Sequence, residues 1–149
     1  TGVLASARQN HPLRVTGWLI IAYGITGLAW PYAPMHLRGA GFTYTDIMHI
    51  NLAVISSMLM LLAMGFGAAA FGIWFRLYSI LSLIILFAAG VLTSLNLPNI
   101  FADLPTPRVG IWERMGIGVF LVWIAVLALT LLYQQRISNP KTGDGPRLT

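Results

Sequence analysis

Four long apolar stretches, each parted from the next by a short polar or proline-bearing interruption, set the pattern of this chain. From Ile47 to Phe75 there is no Lys, Arg, Asp or Glu. At about 1.5 Å per residue, such a run exceeds the roughly 30 Å hydrocarbon core of a bilayer. The other stretches read the same way and predict transmembrane helices near 15–33, 46–74, 76–96 and 111–135. Short connections make sequential helices antiparallel neighbours. The expected fold class is an all-α membrane protein, a bundle of four antiparallel transmembrane helices. Residues 1–136 then form a single helical transmembrane domain, and 137–149 a polar tail.

Small and polar residues inside the apolar stretches predict which faces meet protein. Gly17, Gly24 and Pro31 are seven apart with Gly27 close to the same face, a side where another backbone can approach. Ser79, Ser82, Ala89, Thr93 and Asn96 recur near the helical period, and hydroxyls and amides find poorer partners in lipid than in protein. Met58, Met60 and Met64 read as adaptable filler between helices rather than as a cofactor box. Thr45 or Asp46 is the expected N-cap of the second helix, and a tight turn is expected at 72–76. Pro98, Pro105 and Pro107 predict an extended lid over residues 96–110, anchored by Phe101, Leu104 and Ile111.

Composition narrows the class. Hydrophobic residues make up 57% of the chain and charged residues 9%, and mean hydropathy is +0.77, leaving too little polar surface to cover a soluble globule of 149 residues. The absence of cysteine excludes disulfides, thiolate metal sites and iron–sulfur ligation. A net charge of +5 would suggest nucleic acid in a soluble protein. Here the charges flank apolar spans, so the expected partners are membrane lipid and other transmembrane subunits, and no nucleic acid.

Charge placement predicts orientation. Arg8, Arg14, Arg76, Arg136, Lys141 and Arg147 fall at one end, while Arg38, Arg108 and Arg114 share the other with Asp46, Asp103 and Glu113. The bias of Lys and Arg toward the cytoplasm then puts both termini of this chain inside, in a protein integral to the cytoplasmic (inner) membrane. No cleavable signal pattern is evident at Thr1, and residues 1–13 read as the frayed end of something that began earlier.

The phrases TGWLIIAYGITGLAWPYAPMHLRG, TDIMHINLAVISSMLMLLAMGFGAAAFG, FRLYSI and LPTPRVGIWERMGIGVFLVWIAVLALTLL together resemble an uncharacterised bacterial membrane family, catalogued as a domain of unknown function, the nine-nine-eight family. The likeness runs from Leu4 to Tyr133. It implies a six-helix family of which this chain is the C-terminal four-helix part, two N-terminal helices being absent. It assigns no activity to any residue.

Candidate chemistry gathers at the acid-bearing end. Asp46 and His49 are three apart on one helical face, where a carboxylate can orient an imidazole or both can contribute to a divalent-metal site. Such a site needs at least a third ligand, brought by His36, Asp103 or Glu113 from other segments. The structural reading is that Asp46 caps a helix and His49 is hydrogen-bonded within the bundle. Glu113 and Arg114, adjacent and about 100° apart on a helix, each need a separate partner. Arg114 is expected to reach Asp46 or Asp103, and Glu113 to accept from Arg38 or Arg108. His11 and His36 lie in loops at opposite ends, which leaves no facing pair for haem, and no cofactor or metal is expected. Two functions compete: a non-enzymatic structural or accessory subunit packing against other membrane helices, or a small outer-face enzyme or ligand- or metal-binding protein using Asp46, His49, Glu113 and Arg114.

Overall fold

The computed structural model describes residues 10–37 and 39–138. Asn10 opens the first helix, its side chain accepting the Leu13 N–H at 3.2 Å while its amide donates to the Ala70 carbonyl at 2.9 Å. Pro12 occupies the first turn, where a missing N–H costs nothing. α1 (His11–Gly27) therefore starts before the expected Val15, and His11 to Leu13 are helical rather than frayed. A 3-10 turn (Trp30–Tyr32) follows, then α2 (Tyr44–Ala68), α3 (Ile73–Ser94), the short α4 (Leu97–Phe101) and α5 (Val109–Ser138). Arg8, Lys141, Arg147 and the expected tail beyond Ser138 lie outside the described residues, as does Arg38.

Among the described residues, four segments are long and apolar enough to cross a membrane: His11–Tyr32, Tyr44–Ala68, Ile73–Phe101 and Val109–Ile137. Side-chain contacts fix their directions. Thr16 near the start of α1 donates to Ala63 near the end of α2 at 3.4 Å, and Thr26 meets Ser56 at 3.3 Å. Between α3 and α5, Trp123 Nε1 donates to Ser79 Oγ at 2.9 Å while Gly116 faces Leu86 and Ala89. Early residues of one helix meet late residues of its neighbour, so both pairs are antiparallel. The turn between α2 and α3 falls at 69–72 rather than 72–76, because Phe71 and Phe75 are both buried and pack edge to face at 4.8 Å, fixing the reversal just before α3.

The core is a train of rings. Tyr23 meets Phe120 edge-on at 5.0 Å, Phe120 lies parallel to Trp123 at 6.1 Å, and Trp123 approaches Phe75 at 5.9 Å. Phe120, Trp123, Met64 and Ala63 are fully buried around them. The Ser79, Ser82 and Ala89 stripe faces this interior as expected, and Met60 and Met64 fill it, whereas Met58 points outward.

Gly67 is where the ring of Trp123 meets backbone: a Cβ there would lie 2.5 Å from Cζ2 of the indole. Gly67→Ala should therefore cost about 1–3 kcal/mol, less whatever the helix gains from alanine, because a fully buried indole has nowhere to retreat. Reversible unfolding in detergent measures it, and an unchanged midpoint would show that the ring has room to move. Gly24 and Gly27 behave differently. Both are exposed, and a Cβ at either meets nothing within 4 Å, so of the expected glycine face only Gly17 is buried by this chain.

Candidate functional site at the acid-bearing end

The segment between Ala33 and Thr43 folds back over the start of α2, and its reversals use Gly39 and Gly41 at φ of 91° and 86°, which side chains rarely adopt. Thr43 is the N-cap of α2 and Asp46 stands three residues on, a capping box. The helix is thus capped two residues before Thr45 and three before Asp46, the expected positions.

Asp46 is almost wholly buried, and both of its oxygens are occupied. Oδ1 accepts the His36 N–H at 2.8 Å, while Oδ2 accepts the Thr43 N–H at 2.7 Å and the Thr43 hydroxyl at 2.8 Å. His36 Nδ1 lies 3.5 Å from Oδ2 and 3.0 Å from Thr43 Oγ1. The Thr43 hydroxyl thus stands between Asp46 Oδ2 and the His36 imidazole, and the direction of its bond to Nδ1 follows the histidine tautomer. The histidine that shares Asp46 is His36, from the preceding loop, and His49 on the same helical face turns elsewhere.

His49 Nδ1 donates to the Ala33 carbonyl at 2.9 Å, and its ring stands edge-on to Trp30 at 4.9 Å. Asp46 and His49 are thus two separate clamps on one connection, at its far and near ends. The structural reading of both residues is the one the geometry follows.

The second connection also departs from expectation. Residues 97–101 form a helical turn instead of extended chain, because Pro98 falls in the first turn, where proline is tolerated. Its anchors are buried Ile100 and Val109; Phe101, Leu104 and Ile111 stay exposed. Asp103 adopts φ of 54°, and its Oδ2 accepts the Gly41 N–H at 3.1 Å, while Phe101 packs edge-on against Phe42 at 5.3 Å. These contacts clasp the two connections together. Arg114, exposed, donates to the Gly110 carbonyl of its own helix at 3.0 Å rather than crossing to Asp46 or Asp103. Glu113, half-buried in the second turn of α5, is also engaged. Among the described residues, no group of three or more His, Asp or Glu side chains is placed to hold a metal ion.

Thr43-x-x-Asp46 was the signal for this cap, and the capping pattern predicts that pairing when read from Thr43 rather than Thr45. The role of His36 had no comparable local signal, because it depends on how two glycines turn the chain.

A family model described as "Protein of unknown function (DUF998)" matches residues 1–130. The chain belongs to the DUF998 family. In this DUF998 chain, the matched stretch takes in α1 to α4 and most of α5, hence every clamp described above. Comparisons with curated proteins and with solved structures give no match.

Proposed function

We propose that the chain is a non-enzymatic structural or accessory subunit, which packs against other transmembrane helices in the cytoplasmic membrane with both of its termini on the cytoplasmic side. The observation that carries this reading is the commitment of Asp46 and His49 to backbone groups of one connecting segment. A carboxylate filled by two amides and a hydroxyl, and an imidazole tied to a carbonyl, serve to hold a loop.

Three features support the packing role. The His11–Tyr32 span, like Ile73–Phe101, has little of its apolar stretch buried by this chain, which leaves surface for lipid or neighbours. Gly24 and Gly27 keep its outer side free of bulk, so a second backbone can come close. Asn51, two turns into α2, is exposed, and an amide in that setting gains from a partner on a neighbouring helix. Arg14, Arg76 and Arg136 at one end, against Asp46, Asp103 and Glu113 at the other, support the orientation.

Photo-crosslinking in native membranes tests the reading. A crosslinker at Gly24 or Gly27 should give a discrete protein adduct that is lost in Asn51→Leu or weakened by it, whereas the same group at exposed Ile84 on α3 should give lipid adducts. Lipid adducts alone at all three positions would contradict it.

A further inference from the structure

α3 and α5 leave an open groove of about 400 Å³ between them, lined mainly by Tyr78, Leu81 and Ile85 on one wall and Gly118, Val119 and Val122 on the other. Gly118 opens it, since a Cβ there would meet nothing within 4 Å. Each wall continues by helical spacing toward the arginine-rich end. On α3, Trp74, Tyr78, Leu81 and Ile85 follow one face at intervals of four, three and four. On α5, Met115, Val122, Leu129 and Arg136 are each seven apart, with Tyr133 one turn from Leu129. Trp74, Leu129, Tyr133 and Arg136 are all exposed.

The Trp123–Ser79 bond sets the relative height of the two walls. In that antiparallel register Trp74 is level with the region of Leu129, and Tyr133 and Arg136 lie one and two turns further out. Helical side chains lean toward the N-terminus of their own helix, so Arg136 leans back toward the groove and Trp74 leans out toward the interface. An apolar slot thus leads to a pair of aromatic rings and then to a cation.

We propose that this strip binds one anionic phospholipid of the leaflet at the arginine-rich end. An acyl chain lies in the α3–α5 groove, Trp74 and Tyr133 flank the ester region, and Arg136 meets the phosphate. Charge complementarity selects the occupant: at this end Arg14, Arg76 and Arg136 have no acid of the described residues beside them, whereas at the other Arg108 and Arg114 share the surface with Asp46, Asp103 and Glu113. A second copy seated about an axis along the membrane normal would bring two Arg136 side chains to one depth at the contact, where like charges repel. This strip lies on α3 and α5, apart from the α1 face given the packing role.

Native mass spectrometry of the whole purified chain, delipidated in detergent, tests it with phosphatidylglycerol and phosphatidylcholine bearing the same palmitoyl and oleoyl chains. One phosphatidylglycerol should be retained about fivefold more strongly than phosphatidylcholine, the effect of a single cation at an anionic headgroup. Arg136→Gln should bring phosphatidylglycerol down to the phosphatidylcholine level and leave the latter unchanged. Gly118→Leu, whose Cβ has open space and whose side chain adds bulk to the groove, and Leu81→Trp, which adds bulk from the other wall, should lower retention of both lipids. Equal retention of the two lipids by the native chain would overturn the proposal. So would unchanged phosphatidylglycerol retention in both groove variants, which would reduce the effect to headgroup attraction, or a native dimer that Gly118→Leu dissociates, which would give the groove to a second copy.

Discussion

Replacing Trp123 by alanine is expected to lower the stability of the bundle by about 3–5 kcal/mol, the range for deleting a large, fully buried aromatic side chain. In lipid, helices are held less by an apolar drive than by close packing, so an empty volume at the centre removes contacts that nothing else supplies. The indole joins three helices: it lies against Gly67 of α2, approaches Phe75 of α3 and stacks with Phe120 of its own helix. Trp123→Phe keeps much of the ring and removes the bond to Ser79, for which roughly 1 kcal/mol is expected. Reversible unfolding in micelles, followed by helix content, measures both. A loss below about 1 kcal/mol for the alanine variant would show that the rings do not organise the core.

Asp46→Ala is expected to cost about 2–4 kcal/mol and to loosen the connection at 33–43 before any helix. The substitution removes half of a capping box and leaves two amides and a hydroxyl without their acceptor. Asp46→Asn retains the shape and should cost less, because one amide oxygen can still accept while the charge is lost. Limited proteolysis alongside thermal unfolding separates a local from a global effect. Cleavage confined to the α1–α2 connection is the expected pattern, and an unaltered midpoint with an uncleaved loop would show that Asp46 holds nothing.

The four spans were legible because hydrocarbon thickness imposes a length and a lack of charge that, among the described residues, no other element satisfies. Buried faces were legible only where polarity marked them. Ser79 and Ser82 announced an interior because hydroxyls avoid lipid, whereas Phe120 and Leu121 are alike to the eye and differ completely in place, one fully buried and the other half exposed. In water the apolar side of a helix is the inner side; in a bilayer that correspondence fails. Glycine misled for the same reason: Gly67 closes on an indole, while Gly24 and Gly27 meet nothing within the chain. At the acid-bearing end, composition correctly gathered the charged residues but could not choose partners among them. The pairing of Asp46 with His36 depends on loop reversals at Gly39 and Gly41, and that of Asp103 with Gly41 on one residue held at positive φ. Arg114 was expected to seek an acid, and a carbonyl one turn back on its own helix satisfied it with no loop to order.

Asp46 is spent on holding the connection between α1 and α2. Amide hydrogen exchange of the intact chain in lipid nanodiscs, resolved to single residues, tests it most directly. The His36 and Thr43 amides, which donate to Asp46, should exchange slowly although they lie outside helices, and both should lose that protection in Asp46→Ala while the amides in the middle of α2 keep theirs. Free exchange at His36 and Thr43 in the native chain, with α2 protected, would contradict the account and return Asp46 and His49 to the list of residues available for chemistry.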